Sequence, residues 1–343
     1  MSRNEKIPSR LSGYREEISQ ELRAHVDGRQ GKLYEMVNYH LGFDGEAADR
    51  RLQGKAIRPC LVLFTTEALG GNPAEAMPAA ISLELIHNFS LVHDDIQDDA
   101  DTRRGRESVQ KRWSPAQAIN AGDGLKDLSL LALTELSDGN SPERALEAVS
   151  ALGEYSLRMI QGQVLDLHYM ERDDIDISGY LKMIRDKTCA LLEGAFHLGG
   201  IYGGADASEI DGLIEFGRLL GYVYQIRDDY LGIWGQPEMA GKSVQSDLVE
   251  KKRSFPVVYA MQEGRGDELE ELNDIYYREG KLTEEEVNRV RNILEGMSAR
   301  EKTEEWAEKY WEEAEEQLKR TNMGARAKED LKKFGSFLLN RKK

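Results

Sequence analysis

The sequence predicts an all-α protein, and three observations lead to that expectation. Only eight of the 343 residues are proline, so long stretches contain no helix breaker. Leucine, alanine, glutamate, lysine and arginine dominate those stretches, and all five are good helix formers. No region shows the alternation of β-branched and polar residues that is typical of a sheet protein. The sequence has no fixed-period repeat and no low-complexity linker, so we expect a single domain over residues 1–343.

Glycine and proline mark the helix boundaries in the first part of the chain. Residues 13–42 carry apolar side chains at helical spacing. A helical stretch over 60–69 ends at Gly-Gly-Asn-Pro, residues 70–73, which is a strong stop signal. The next helix has Pro78 near its start and runs to about Asp98. It is apolar almost all round, which is typical of a helix buried in a bundle.

The rest of the chain continues the helical pattern. A polar loop spans residues 100–114, and a loop rich in glycine, proline and lysine spans 235–253. Helices are predicted over 115–137, 142–170, 177–202 and 207–234, and another begins near Phe255. Residues 280–343 should form charged amphipathic helices packed on the domain, one of which opens with the capping box Thr283–Glu286.

Charge and hydropathy exclude several classes of protein. The net charge of −16 argues against nucleic acid as a general partner. No run of about 18 apolar residues is present, so no transmembrane segment is expected. The N-terminus lacks the apolar core of a signal sequence, which predicts a cytoplasmic protein. Cys60 and Cys189 lie far apart in helical stretches and are expected to be buried thiols.

An acidic cluster ends the apolar helix in the segment LVHDDIQDDADTRRG, residues 91–105. The i, i+4 spacing of Asp94 and Asp98 and the i, i+3 spacing of Asp95 and Asp98 bring carboxylates together on a helix surface. Their mutual repulsion grows if the site is buried, and a hard divalent cation would remove it. Oxygen ligands without a nearby cysteine favour Mg²⁺ over zinc. The alternative, for this cluster alone, is a solvated acidic helix end.

A second acidic pair, Asp228 and Asp229, also follows an apolar helical stretch. If the two clusters face each other across a bundle, they could hold Mg²⁺ ions around a diphosphate. Lysine and arginine side chains recur beside both clusters, as phosphate binding requires. No P-loop, dinucleotide or kinase motif is present, which disfavours a nucleotide phosphotransferase.

The blocks GKAIRP, ELIHNFSLVHDDIQD with RRG, KT, QIRDDYLGIWG and GKSVQSDL with KKRSFP together resemble the trans-isoprenyl diphosphate synthases. Their order and spacing span about residues 50–260. The resemblance implies an isoprenoid synthase type orthogonal helical bundle around a deep central cavity, usually a homodimer. It also implies a prenyltransferase that joins isopentenyl diphosphate to allylic diphosphates.

Site assignments follow from the resemblance. The first acidic motif would bind Mg²⁺ and the allylic diphosphate through Asp94, Asp95 and Asp98. The second would bind a further Mg²⁺ through Asp228 and Asp229, with about three ions per active site. Isopentenyl diphosphate would contact Lys55, Arg58, His87 and Arg104. The allylic diphosphate would contact Arg103, Lys187 and Lys242, with Lys252 as a weaker candidate. Polar groups that steady the cationic intermediate would be Thr188 and Gln225.

The second motif departs from the usual DDxxD pattern, because its fifth position is Gly232. We expect Asp228 to carry most of the metal binding of that motif and activity to survive. The departure could instead mark weakened catalysis or a non-catalytic partner subunit. A class I terpene cyclase shares the fold and one acidic motif, but it needs no second diphosphate pocket.

Product length should depend on the depth of the cavity below Asp94. One helical turn rises about 5.4 Å, which is comparable to one isoprene unit. Family members carry bulk at the positions of Phe89 and Ser90 as a cavity floor. Phe89 beside the small Ser90 resembles the type that forms the C20 product, geranylgeranyl diphosphate. Farnesyl diphosphate or a longer chain is the alternative.

Overall fold

The computed structural model describes residues 7–45, 52–134, 141–170, 172, 174–235 and 246–341. Regular structure in these ranges is helical apart from one short hairpin. In this hairpin β1 (Thr102–Arg103) pairs antiparallel with β2 (Arg106–Glu107). The prediction of an all-α protein is therefore confirmed.

The first part of the chain forms eight of the described helices. They are α1 (Ser9–Ser12), α2 (Arg15–Val26), α3 (Lys32–Leu41), α4 (Ile57–Ala68), α5 (Pro73–Gln97), α6 (Val109–Arg112), α7 (Pro115–Thr134) and α8 (Pro142–Met170). The predicted helical stretch 13–42 is broken between α2 and α3, where Gly28 and Gly31 adopt φ of 83° and 110°. The helix α5 begins earlier than expected, because Asn72 caps it through Oδ1, and Pro78 therefore lies inside the helix.

The second part of the described chain contains the remaining helices. They are α9 (Ile177–Ile184), α10 (Ala190–Gly203), α11 (Ala207–Trp234), α12 (Ser246–Val249), α13 (Phe255–Glu263), α14 (Asp267–Tyr277), α15 (Glu284–Gly296), α16 (Ala299–Arg320) and α17 (Ala325–Asn340). The predicted helix over 177–202 is interrupted by a π-helical turn, Arg185–Cys189. The capping box of Thr283 and Glu286 is present at the start of α15.

The helix α10 lies at the centre of the bundle and contacts α4, α5, α8 and α11. Small residues let these helices approach closely. A Cβ on Gly199 would lie 2.5 Å from Cβ of Thr65 on α4. A Cβ on Gly217 of α11 would lie 2.9 Å from the carbonyl oxygen of Leu192. Glycine at these two positions therefore sets the spacing of α10 against two neighbours.

The C-terminal helices α16 and α17 pack against each other and against α11. These contacts join residues 299–340 to the helices around the site. The expectation of a single domain stays a prediction. Cys60 and Cys189 are buried and free, as expected. None of the helices in the described ranges combines the length and apolar character that a membrane span needs.

Candidate active site

A cavity of about 380 Å³ opens beside the C-terminal half of α5. Its mouth is polar and includes Asp94, Gln97 and Lys187. Its apolar wall comes from α5, α8 and α10, through Phe89, Leu91, Met159, Ile160, Val164, Leu167 and Leu191. The cavity can therefore accept a ligand with a charged head and an apolar tail.

The first acidic motif presents two carboxylates to cations at this mouth. Burial raises the pKa of Asp94, and the ammonium group of Lys187 opposes that shift. Lys187 also donates to Oδ2 of Asp166 at 2.5 Å. One turn beyond Asp94, Oδ2 of Asp98 accepts from Nζ of Lys252 at 3.0 Å. Asp94 and Asp98 thus lie on the face of α5 that meets the basic side chains.

Asp95 points away from that face and is 1% exposed. Its Oδ1 accepts from Nε of Arg103 at 2.8 Å, and the same oxygen accepts from Nη2 of that arginine. The backbone carbonyl of Asp95 accepts from Nε2 of Gln110 at 2.8 Å. The three aspartates of the motif are therefore not equivalent, because Asp95 holds Arg103 in a buried ion pair.

The two aspartates of the second acidic pair also differ in exposure and in hydrogen-bond partners. Asp228 is about half exposed, and its Oδ1 accepts from Nη2 of Arg341 at 2.8 Å. Asp229 is buried and accepts from the hydroxyl of Tyr180 and from the backbone N–H of Phe255, both at 2.7 Å. Burial raises the pKa of Asp229 to about 7, although these hydrogen bonds oppose the shift. Asp228 is the accessible member of the pair.

A hydrogen-bonded chain connects the π-helical turn to this pair. Thr188 donates through Oγ1 to Oε1 of Gln225 at 2.7 Å, and Gln225 donates through Nε2 to Oδ1 of Asp229 at 2.8 Å. A Cβ on Gly162 of α8 would lie 2.0 Å from the backbone nitrogen of Lys187. Gly162 therefore leaves room for the π turn, which brings Lys187 and Thr188 to the cavity.

The segment 247–252 links the two motifs. A Cβ on Gly232 would lie 2.3 Å from Oδ2 of Asp247, so the Asp247 carboxylate lies where a side chain at position 232 would begin. The backbone N–H of Lys252 donates to the carbonyl of Asp247 at 2.8 Å. Since Lys252 also contacts Asp98, this segment joins α11 to the acidic end of α5.

Three of the predicted basic-pocket residues lie close together, and two of them, Arg58 and His87, line the same cavity as Asp94. Nη1 of Arg58 lies 3.2 Å from Nε2 of His87. Burial lowers the pKa of His87, and Arg58 lowers it further, so this imidazole is neutral at neutral pH. Arg104 donates through Nη1 to the carbonyl of Leu52 at 2.8 Å. Lys55 is exposed in the same loop that contains Leu52. Lys242 lies outside the described residues.

Several residues at the site were missed from the sequence. Asp166 pairs with Lys187, and Arg341 pairs with Asp228 although 113 positions separate them. Glu84 and Asn88 are buried on α5 within reach of Arg104. The Glu84 carboxylate, ten positions before Asp94 on an otherwise apolar helix, was the one signal that could have been noticed.

The acidic residues fit a hard divalent cation by their chemistry. In the described ranges no three His, Cys, Asp or Glu side chains converge in a preformed metal site. Instead, Asp98 and Asp228 each have a protein cation as partner, Lys252 and Arg341 respectively. Carboxylate oxygens that attract cations in this way are the ligands that Mg²⁺ prefers.

Comparison with known proteins identifies the family. The family model described as polyprenyl synthetase matches residues 46–294. A (2E,6E)-farnesyl diphosphate synthase of Mycobacterium tuberculosis is 39% identical over 249 residues, which cover 72% of this chain and 68% of that protein. A geranylgeranyl diphosphate synthase of Methanosarcina mazei is 34% identical over 265 residues, covering 77% of this chain and 79% of that one.

The fold also matches a solved structure along nearly its whole length. The crystal structure of a polyprenyl synthetase from Streptomyces coelicolor A3(2) superposes with a TM-score of 0.88 at 35% identity, over 97% of this chain and 99% of that chain. The match of the family model and the identity to curated relatives confirm the resemblance that the sequence motifs indicate. The chain belongs to the polyprenyl synthetase family, the trans-isoprenyl diphosphate synthases.

Proposed function

We propose that the enzyme is a prenyltransferase that joins isopentenyl diphosphate to an allylic diphosphate and releases pyrophosphate. The cavity carries this proposal, because one space combines a charged mouth at Asp94 and Lys187 with a long apolar wall. A prenyl diphosphate has the same two parts. The Arg58 and His87 side chains line another part of the cavity, where they would bind the second diphosphate.

The reaction breaks the allylic C–O bond and forms a C–C bond from the double bond of isopentenyl diphosphate to the allylic carbon. A proton then leaves the new product, and the departing pyrophosphate accepts it. Lys187 and Arg103 bind the negative charge on the leaving group. Thr188 lines the cavity and donates to Gln225, which supports a role for these two polar side chains beside the cationic carbon. Buried apolar side chains of the wall, such as Met159 and Leu191, keep out water, which would otherwise trap the cationic carbon.

We infer that Mg²⁺ is held by carboxylate oxygens of Asp94 and Asp98 on α5 and of Asp228 on α11. When bound, Mg²⁺ neutralises the charge that develops on the departing diphosphate. Asp95 and Asp229 belong to the same motifs, and their buried hydrogen bonds support an orienting role. About three ions per site is a further prediction, and a calorimetric titration with Mg²⁺ and pyrophosphate measures that number.

We favour geranylgeranyl diphosphate as the product. Phe89 is 5% exposed and lines the cavity next to Ser90, which supports a floor at this depth. The Phe89 ring contacts the edge of His93 at a centroid distance of 4.8 Å, which restricts its movement. Farnesyl diphosphate and longer products are the alternatives that a product analysis distinguishes.

A homodimer is supported by an exposed apolar stripe on α7 and α8. Leu146, Leu157 and Val164 on α8 are 71%, 57% and 61% exposed. Their spacings of 11 and 7 residues place them within about 20° of one another around the helix. Ile119 and Leu130 on the adjacent α7 repeat the 11-residue spacing and are also exposed. A stripe of this kind is suited to a second copy of the chain.

The deciding experiment incubates purified protein with Mg²⁺, isopentenyl diphosphate and each of the C5, C10 and C15 allylic diphosphates. We expect condensation with at least one primer and a C20 product by chain-length analysis. Failure with all three primers would overturn the synthase proposal, and a cyclised hydrocarbon would indicate a terpene cyclase. Sedimentation analysis of the same preparation tests the homodimer.

A further inference from the structure

A buried polar network lies behind Arg104, on the part of α5 that precedes the acidic motif. Glu84 is 4% exposed and Asn88 is 1% exposed, and they are one helical turn apart. Nδ2 of Asn88 donates to the backbone carbonyl of Glu84 at 2.8 Å and to its Oε1 at 3.2 Å. Oδ1 of Asn88 accepts from Nη2 of Arg104 at 3.2 Å.

Only one orientation of the Asn88 amide satisfies the donors and acceptors of this network. An ionised carboxylate only accepts hydrogen bonds, and a guanidinium only donates them. The amide of Asn88 satisfies both neighbours only when its nitrogen faces Glu84 and its oxygen faces Arg104. Glu84 and Arg104 therefore together fix the orientation of the Asn88 amide, and the amide in turn holds one edge of the guanidinium.

The other edge of the Arg104 guanidinium is held by the loop before α4. Nη1 donates to the carbonyl of Leu52 at 2.8 Å. A Cβ on Gly54 would lie 3.1 Å from Nη2, so the backbone of Gly54 lies against the guanidinium. Nη2 of Arg15 donates to the carbonyl of Gly54 at 2.6 Å and holds that loop in place. Arg104 itself adopts φ of 53°, a conformation that few side chains adopt without support.

The buried carboxyl group of Glu84 also lies near two partly buried guanidinium groups, those of Arg104 and Arg58. Burial raises the pKa of Glu84, whereas Arg104 and Arg58 both lower it. These are the same two arginines that line the proposed isopentenyl diphosphate pocket. Without the carboxylate, two guanidinium groups would repel each other across a desolvated space before any diphosphate arrived.

We propose that Glu84 and Asn88 are positioning residues that hold Arg104 in the orientation that binds the diphosphate of isopentenyl diphosphate. This inference rests on the proposed function, in which Arg104 contacts that substrate. Neither residue touches the substrate; they act through the guanidinium. Their effect should therefore be confined to one of the two substrates, since Lys187 and the acidic motifs belong to the other diphosphate.

The test measures the KM of each substrate separately in Glu84→Gln. The introduced glutamine carries no charge and can donate as well as accept, so it holds the nitrogen of the Asn88 amide less firmly, and any turn of that amide would break its bond to Arg104. We expect the KM for isopentenyl diphosphate to rise roughly tenfold, as the loss of a hydrogen bond to a charged group implies. The KM for the allylic diphosphate and kcat should change by less than about twofold.

The double variant Glu84→Gln with Asn88→Asp supplies a rescue. The introduced glutamine then donates to the introduced aspartate, and that aspartate accepts from Arg104, so both links of the network are restored and the total charge is unchanged. We expect the KM for isopentenyl diphosphate to return to within about threefold of the original value. A variant that merely loosened the bundle would not recover in this way.

Glu209→Gln is the matched control. Glu209 is also a buried glutamate, 7% exposed, but it accepts from the backbone N–H of Asn322 at 2.7 Å, far along the chain from the basic pocket. It should lower the melting temperature without a substrate-specific change in KM. If Glu84→Gln does not fold, Asn88→Ala provides the same comparison with Glu84 intact.

Equal effects on both substrates, no effect on either, or no rescue by the double variant would overturn the inference. These outcomes are distinct from failure of the proposed function. If the proposed function were wrong, the unsubstituted protein itself would form no condensation product.

Discussion

The Asp247 carboxylate occupies the space that a side chain at Gly232 would need. A Cβ on Gly232 would lie 2.3 Å from Oδ2 of Asp247, well inside contact distance. The fifth position of the second acidic motif therefore lacks its own carboxylate, but a carboxylate from α12 lies there.

Gly232→Asp should accordingly impair the enzyme rather than complete its motif. The new carboxylate would meet Asp247 and raise the repulsion beside Asp229. We expect a condensation rate at least about tenfold lower, equivalent to about 1.4 kcal/mol of activation free energy. Gly232→Ala is the control, and its effect should be smaller because the end of the Asp247 side chain can shift. Adding Asp247→Gly to Gly232→Asp should restore most of the rate; a double variant as slow as the single one would contradict the shared-space interpretation.

Asp94→Asn should remove most of the activity. Asp94 is the acidic side chain at the cavity mouth beside Lys187, so its loss weakens both the metal site and the local charge balance. We expect a decrease in kcat on the order of 10²-fold or more, in line with the loss of a charged group that acts in the transition state. Removal of metal with EDTA should abolish activity, and added Mg²⁺ should restore it. The control Asp99→Asn alters an exposed carboxylate at φ 47°, which asparagine tolerates, and should leave the rate nearly unchanged.

Phe89→Ala should lengthen the product. The Phe89 ring lines the cavity, and its removal leaves more room for the growing chain. Chain-length analysis should show a shift to products beyond that of the unsubstituted enzyme. The substitution also removes buried apolar contacts and could cost up to about 3–5 kcal/mol of stability. Phe337→Ala, which alters a half-buried phenylalanine on α17, controls for general loosening. An unchanged product distribution would remove Phe89 as the floor.

Arg341→Gln should change the Mg²⁺ requirement. Arg341 donates to Asp228 and also to the carbonyl of Tyr224 at 3.0 Å. If the guanidinium competes with metal for Asp228, its removal should lower the Mg²⁺ concentration for half-maximal activity several-fold. The backbone at 341 should stay in place, because its carbonyl accepts from Arg227. Lys333→Gln on the exposed face of α17 is the control. A higher Mg²⁺ requirement would mean that Arg341 organises Asp228 instead of competing for it.

His40 should make stability depend on pH. Burial lowers its pKa well below the ordinary value, and Arg104, Arg103 and Arg106 lower it further. Below about pH 6.5 the unfolded chain binds a proton at His40 that the folded chain does not, so the free energy of unfolding falls as pH falls. The contribution reaches about 1.4 kcal/mol per pH unit for one histidine. Denaturant titrations of His40→Gln between pH 7 and pH 5 should show a shallower decline than the unsubstituted protein. The exposed His168→Gln should keep the original slope, and an equal slope for His40→Gln would contradict the expectation.

The sequence predicted most helices of this protein because their boundaries depend on local signals. The glycines after Leu69 and the capping box at Thr283 act within a few residues and are visible in the sequence. The interruption of the predicted helix at Arg185–Cys189 is not visible in the sequence, because this π turn depends on the close approach of Gly162 from another helix.

The site was predictable only in part for the same physical reason. The acidic motifs and their basic neighbours follow recognisable residue patterns. The sequence does not show which aspartates are exposed and which are buried. Asp95 and Asp229 are the buried ones, and each accepts a hydrogen bond from a residue outside its own motif, Arg103 and Tyr180 respectively. The pairing of Asp228 with Arg341 joins distant parts of the chain and depends on the way α17 packs.

The ion pairs of Lys252 with Asp98 and of Arg341 with Asp228 bear on turnover. Any cation that takes these carboxylates must first displace a lysine or an arginine, and the free energy of that displacement is subtracted from its affinity. An enzyme that held its metal and pyrophosphate too tightly would stall after each condensation. We expect the two side chains to re-form these ion pairs as the metal and pyrophosphate leave, which would favour emptying of the site before the next cycle.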